Sequence, residues 1–365
     1  MTLTLGIESS CDETAMALVE DGRVLASVMA SQADAHALFG GVVPELACRE
    51  HLRALSPLLD GVMSRAERSP SDLDLVAVAR GPGLLGSLLV GVSLAKGLVM
   101  ATGAALVGVN HLHAHLLATL LDGDIPWPAL GLVISGGHTQ TMRMDSPADM
   151  EALGRTLDDA VGECFDKAAK ALNLPYPGGA HIDALGREAE PDKDMFPRPY
   201  LNNSNLDFSF SGLKTAVAKY VAVRPHLRLP AMPGPGRPDF GDLGTDALDE
   251  LRRVCASLNW AVADTLRIKV ERALEAMGGA RCLVVAGGVA ANSMIRAAMA
   301  ELARERDLPL RMPPPSLCTD NADMVAMAGQ LLFERGLAHG LDLEAVPRGR
   351  AVPLDFLSRA GRRAP

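Results

Sequence analysis

Leu3-Thr4-Leu5-Gly6-Ile7-Glu8-Ser9-Ser10-Cys11-Asp12-Glu13-Thr14 is an apolar strand running into a turn of small and acidic residues, with a second apolar run behind it. The plan returns twice. Residues 130–134 lead into Ser135-Gly136-Gly137-His138-Thr139-Gln140 and a further run from Thr141. Residues 282–286 lead into Gly287-Gly288-Val289-Ala290-Ala291-Asn292 and a helical pattern from Ser293. Glycines in such turns let backbone N–H groups approach a phosphate closely. In the third, the following helix adds its N-terminus. Similar openings at residues 3 and 130 predict a duplicated architecture with a nucleotide-like ligand between the halves. Helical stretches at 43–65, 84–101, 156–173 and 245–277 alternate with the strands, which makes the class α/β.

The 365 residues are enough for two lobes. A net charge of −9 and only 4% aromatic residues are the opposite of a basic, base-stacking RNA binder, so any RNA contact needs a local patch or a partner. Six scattered cysteines without a C-x-x-C fit a reducing compartment. The N-terminus enters an apolar strand with no basic stretch before it, so no secretion signal is expected. The segment 83–109 imitates a membrane span, with Lys96 its single charge. A mid-bilayer charge is costly, whereas a buried helix followed by a buried parallel strand accounts for the pattern without that penalty. Five prolines and four glycines at 225–244 predict an insertion loop, and Arg348, Arg350, Arg359, Arg362 and Arg363 make a basic, solvated tail.

His111-Leu112-His113-Ala114-His115 carries the sharpest chemical signal. If a helix begins near Asn110, His111 and His115 lie one turn apart on one face and can grip a transition metal. His113 is about 200° round the helix from His111 and faces away. Two ligands do not make a site. The candidate third is Asp320, in Ser316-Leu317-Cys318-Thr319-Asp320-Asn321-Ala322-Asp323, whose plain alternative is a helix N-cap. Two histidines and a carboxylate leave metal positions open for a substrate. Asp12 and Glu13 are either turn acids or carboxylates that polarise a nucleophile. Asp166 and Lys167 lie on the helix expected over 158–173, ahead of Tyr176-Pro177-Gly178-Gly179-Ala180-His181-Ile182-Asp183, a turn whose acids can accept from a ribose.

Gly81-Pro82-Gly83-Leu84-Leu85-Gly86 matches a dinucleotide fingerprint, but no Asp or Glu occurs between Asp74 and Asp122 to hold the ribose, and Pro82 removes an N–H. A tight turn is the better reading. A phosphate-loop lysine is absent after Gly86, and Leu112 stands where a zinc protease has its glutamate.

Taken together, Gly6 to Thr14, His111 and His115, Ser135 to Gln140, Phe165-Asp166-Lys167, Tyr176 to Gly179, Phe208-Ser209-Phe210-Ser211-Gly212-Leu213-Lys214 and Gly287 to Asn292 resemble the tRNA threonylcarbamoyladenosine transferase family, formerly labelled a glycoprotease. The likeness runs from Leu3 to about Gly340. It implies duplicated actin-like, ribonuclease-H-like ATPase-type lobes of the sugar kinase, Hsp70 and actin superfamily. Those lobes would be 1–128 and 129–320, with 321–365 a C-terminal helix returning to the first lobe and a basic tail. It implies transfer of a threonylcarbamoyl group from its adenylate to the exocyclic amine of adenosine at tRNA position 37. One divalent metal per subunit, Fe(2+) or else Zn, would sit in the inter-lobe cleft on His111, His115 and Asp320, with the adenylate or ATP beside it. Ile134, Ser135, Gly136, Gly137, His138, Asp166, Gly179, Asp183 and Asn292 would contact the adenylate, and Asp12 or Glu13 would serve catalysis. Partners implied are tRNA reading ANN codons, a related pseudo-enzyme subunit (TsaB-like), a small ATPase (TsaE-like) and an adenylate synthase (TsaC-like), in the cytoplasm and without a membrane. Two departures stand out: His113, where many relatives carry an acid, and the length of 225–244. The rival readings are a small-molecule kinase of the same fold, which has no need of the histidine pair, and a catalytically idle binding subunit.

Overall fold

The computed structural model describes residues 1–121, 123–230, 238, 240, 241 and 243–358. Much of the expected insertion loop at 225–244, and Arg359, Arg362 and Arg363 of the basic tail, lie outside the described residues. The chain forms two compact units. The first comprises Met1–Ala33, Val42–Gly123 and Asp320–Pro365, the second Asp34–Gly41 and Asp124–Thr319.

In the first unit, strands β1 (Leu3–Glu8), β2 (Glu13–Glu20), β3 (Arg23–Ser31), β4 (Leu75–Gly81) and β5 (Ala105–Asn110) form a sheet in the order β3-β2-β1-β4-β5. β1, β4 and β5 are parallel, while β2 and β3 run antiparallel. Every residue of β1 and β4 is buried, because the sheet is covered on both faces and parallel strands then read as unbroken apolar runs. The carboxyl ends of β1, β4 and β5 share one edge, the usual place for a site in such sheets. Helix Ala322–Glu334 packs on this sheet. Glycine is what permits it: a Cβ on Gly6 would lie 2.4 Å from the Ala322 carbonyl oxygen, and one on Gly329 would lie 2.3 Å from Ala77 Cβ.

Helix Leu85–Thr102 is the one described helix long and apolar enough to cross a membrane by length and composition. Leu88, Val92, Ala95 and Leu98 are buried on one face. Leu85, Leu89 and Met100 are exposed on the other, so the expected buried helix is core on one side only.

The second unit repeats the plan. β6 (Ala129–Ile134), β7 (Thr139–Ser146), β8 (Asp149–Arg155), β9 (Cys282–Ala286) and β10 (Leu310–Arg311) follow the order β10-β9-β6-β7-β8. β6, β9 and β10 are parallel, β7 and β8 antiparallel. Replacing each strand number by its counterpart five lower gives the first sheet. Helix Thr245–Met277, with buried Leu251, Val254, Leu258, Val262, Leu266 and Val270 at helical spacing, supplies much of the second core.

One local expectation is corrected. The helix expected over 156–173 spans Val161–Ala171. Asp158 lies ahead of it because its carboxylate accepts from Ser209 Oγ, Phe210 N, Ser211 N and Ser211 Oγ. Phe208 and Phe210 alternate inward from the same stretch and stack with centroids 6.2 Å apart. Their burial is worth about 1.5–3 kcal/mol each. The turn after β4 is committed to the protein itself: Arg348 N donates to Gly83 O at 2.9 Å and Leu84 N to Ser10 O at 2.8 Å.

Candidate metal centre and substrate loops

Asn110 ends β5 and caps the helix His111–Leu117, its side-chain oxygen accepting from Leu112 N at 3.0 Å. A helix therefore starts at His111, and one turn on His115 shares its face, with the imidazole centroids 4.6 Å apart. Asp320 lies just ahead of the N-cap of the helix packed across Gly6. The N-cap there is Asn321, whose Oδ1 accepts from Met324 N at 2.9 Å, so the capping role considered for Asp320 falls to its neighbour. Asp320 Oδ1 lies 3.0 Å from His115 Nε2 and 3.6 Å from His111 Nε2.

One ligand atom from each of His111, His115 and Asp320 lies within 4.8 Å of the others. His115 Nε2 is buried and makes no hydrogen bond despite the nearby carboxylate oxygen. A lone pair and a carboxylate oxygen in that relation fit a shared cation, and the nitrogen-oxygen donor set suits iron(II) or zinc with positions left open. Behind the cluster, His111 Nδ1 is 3.1 Å from Glu8 Oε2 and 3.3 Å from Ser10 Oγ. Glu8 Oε1 accepts from Ser10 N at 2.6 Å. A carboxylate on the far nitrogen of a metal-binding histidine sets its tautomer and raises its basicity. Burial alone would lower the His111 pKa, but Glu8 and Asp320 outweigh it and raise the group to about 9. His113, by contrast, is lowered to about 4 by burial, which keeps it neutral.

Asp12 and Glu13 follow β1 in the same unit. Burial first, then the charges of Asp12 and Asp320, push Glu13 up to about 10, and Asp12 accepts a hydrogen bond from it. The same burial, with Asp12 next, raises the Cys11 thiol.

The second unit carries the remaining candidates. Ser135 N donates to His138 O at 2.8 Å and His138 N to Ser135 Oγ at 3.2 Å, closing the turn after Ile134 on itself. Gly162 comes within reach of this turn because a Cβ there would meet Gly136 Cα at 2.7 Å. Asp166 Oδ1 accepts from Gly178 N at 2.8 Å, tying the Pro-Gly-Gly turn and Gly179 to helix Val161–Ala171. Asp183 Oδ1 accepts from Ser293 N at 3.0 Å and from its hydroxyl, and Asp183 pairs with Arg187. Asn292 Oδ1 accepts from Met294 N and Ile295 N, both at 3.1 Å. The first amides of helix Ser293–Glu305, expected to face a phosphate, are thus used by Asp183 and Asn292. Sequence reasoning gave no role to Glu8, to the buried His51 or to the pair Asp158–Asp159. Asp159 holds Lys167 at 2.7 Å and Lys214 at 2.8 Å. A charged residue ending a wholly apolar strand was the available signal for Glu8.

Two five-stranded sheets of one repeated strand order define the class as the duplicated, actin-like α/β fold. The activator of the 2-hydroxyisocaproyl-CoA dehydratase from Clostridium difficile with bound ADPNP has that fold, at TM-score 0.51 and 15% identity over 92% of this chain and 97% of that one. The model of the family tRNA N6-adenosine threonylcarbamoyltransferase matches residues 23–327. The tRNA N6-adenosine threonylcarbamoyltransferase of Solidesulfovibrio magneticus is 60% identical over 97% of this chain and 95% of its own length. That of Nitratidesulfovibrio vulgaris is 58% identical over 97% and 98%. The chain belongs to the tRNA N6-adenosine threonylcarbamoyltransferase family.

Proposed function

We propose that this chain moves a threonylcarbamoyl group from threonylcarbamoyl-adenylate to the exocyclic amine of the adenosine at position 37 of tRNA reading ANN codons. The family membership supports the reaction class. The observation that carries the mechanism is the meeting of His111, His115 and Asp320, braced by the buried Glu8.

His111, His115 and Asp320 would hold one divalent ion, iron(II) or else zinc, which when bound supplies a Lewis acid to orient the donor and neutralise charge on its oxygens. Ile134, Ser135, Gly136, Gly137, His138, Asp166, Gly179, Asp183 and Asn292 would hold the adenylate or ATP. Because the Ser135 amide closes its own turn, the N–H donors toward developing negative charge would come from Gly136 and Gly137. The adenine nitrogen attacks the carbamoyl carbon as the bond from that carbon to the phosphate oxygen breaks, and AMP leaves. An adenine amine is a weak nucleophile, so positioning carries much of the rate. Asp12, in the turn that follows β1, takes the proton released by the attacking amine. The base lies in an unpaired loop, which keeps the cost of extruding it low.

The net charge of −9 suits an enzyme that gathers tRNA with help. The exposed Leu85, Leu89 and Met100 on one helix support a protein partner, and the reading assigns this chain a pseudo-enzyme relative, a small ATPase and an adenylate synthase in the cytoplasm. The test is transfer to tRNA measured as nucleoside mass, together with metal content. His111→Ala is expected to lose both; full metal and wild-type transfer in that variant would overturn the reading.

A further inference from the structure

Successive carbonyls of the turn after β1 are held by different elements. Ser10 O accepts from Leu84 N at 2.8 Å, and Asp12 O accepts from Gln32 N at 3.0 Å. Between them, Cys11 O lies 2.9 Å from His51 Nε2. The first two donors are backbone; the third is a side chain from helix Pro44–Ala66, fully buried. The other nitrogen of the same ring, Nδ1, is 2.7 Å from Thr14 Oγ1. A carbonyl only accepts, so Nε2 carries a proton, and in the neutral ring Nδ1 then accepts from the Thr14 hydroxyl. One imidazole thus bridges residues 11 and 14, the two neighbours of the Asp12–Glu13 pair.

Stability alone does not call for this arrangement. Replacing both members of a buried hydrogen-bonded pair by apolar groups of the same shape is close to neutral for folding. A ring that ties both ends of an acid-bearing turn does something a leucine in the same space would not: it fixes the path of the backbone between residues 11 and 14. Proton transfer is steep in distance, and a displacement of about 1 Å costs roughly a hundredfold in rate.

We propose that His51 is a positioning residue for threonylcarbamoyl transfer, clamping the turn so that the Asp12 carboxylate stands where the proton of the attacking amine departs. The proposal rests on Asp12 as the base. His51 acts through the backbone of Cys11 and the hydroxyl of Thr14.

The experiment compares His51→Phe with Thr14→Val, the double variant, His51→Gln and Asp12→Asn, each in the metal-loaded enzyme with its partner proteins. It measures kcat, KM for the adenylate, metal content and melting temperature. The double variant is expected to melt within a few degrees of wild type. Its metal content and KM should be unchanged, while kcat falls roughly tenfold to a hundredfold. His51→Gln, which keeps an amide donor for Cys11 O, should recover part of that loss. In an Asp12→Asn background the double variant should cost nothing more, because no base is left to position. Wild-type kcat in the double variant while Asp12→Asn stays impaired overturns the clamp and leaves Asp12 as the base. Full rate in Asp12→Asn itself overturns the reading beneath it. Loss of metal along with rate makes His51 part of the general scaffold and also overturns the proposal. Should the double variant not fold, Thr14→Val alone decides: an unchanged kcat overturns the clamp, and a several-fold fall supports it.

Discussion

The turns after β1 and β6 occupy equivalent places in two sheets of the same strand order, yet one is lined with carboxylates and the other with glycine. After β1 come Asp12 and Glu13, with Glu8 at the strand end. After β6 come Ser135, Gly136 and Gly137. The edge strands differ in the same sense. β5 has six residues and runs into the capped helix bearing His111 and His115. Its counterpart β10 has two residues and runs into Pro313-Pro314-Pro315, after which only a single 3₁₀ turn, Pro315–Leu317, forms. Duplication provided two alike frames. Side chains then made one turn acidic, in the unit that holds the His111, His115 and Asp320 cluster, and left the other to serine and glycine.

That contrast can be broken most forcefully at Asp320. Asp320→Ala is expected to lower transfer by about three orders of magnitude, the several kcal/mol that a metal supplies. Metal content should fall with it, while adenylate binding, measured by calorimetry, stays near wild type. Loss of adenylate binding as well would show that the two functions are not divided between the frames in this way. A smaller effect is expected from Glu8→Gln. It retains shape but removes the charge on His111 Nδ1, and metal affinity should drop roughly tenfold to a hundredfold in competition with a chelator. Asp166→Asn sharpens the other side. It weakens the bond to Gly178 N, so KM for the adenylate should rise about tenfold with metal content untouched, the size of one charge-assisted hydrogen bond.

Legibility along the sequence followed distance along the chain. The histidine pair was readable because helical spacing is local and Asn110 is a recognisable cap. The strands were readable because each apolar run stops at its own turn residues. The helix expected over 156–173 was drawn too long, since Asp158 is claimed by Ser209 and Ser211 some fifty positions away. Glu8 was missed for the same kind of reason: its partner His111 is 103 residues on. His51 reaches back 40 residues to Cys11, and nothing adjacent to it announces that bond. Asp320 could be read as a ligand or as a cap, and the cap is Asn321.

By itself the sequence determined the α/β class, the repeated strand-and-turn plan and the one-turn spacing of two imidazoles, because periodicity and turn chemistry are properties of neighbouring residues. Only the tertiary structure decided that Asp320 meets those imidazoles, that Glu8 stands behind one of them and that His51 grips the acid-bearing turn. Those meetings depend on a helix lying flat against Gly6, with its own Gly329 against Ala77, and on strands brought side by side, and such close approach is set by packing between segments distant in the chain.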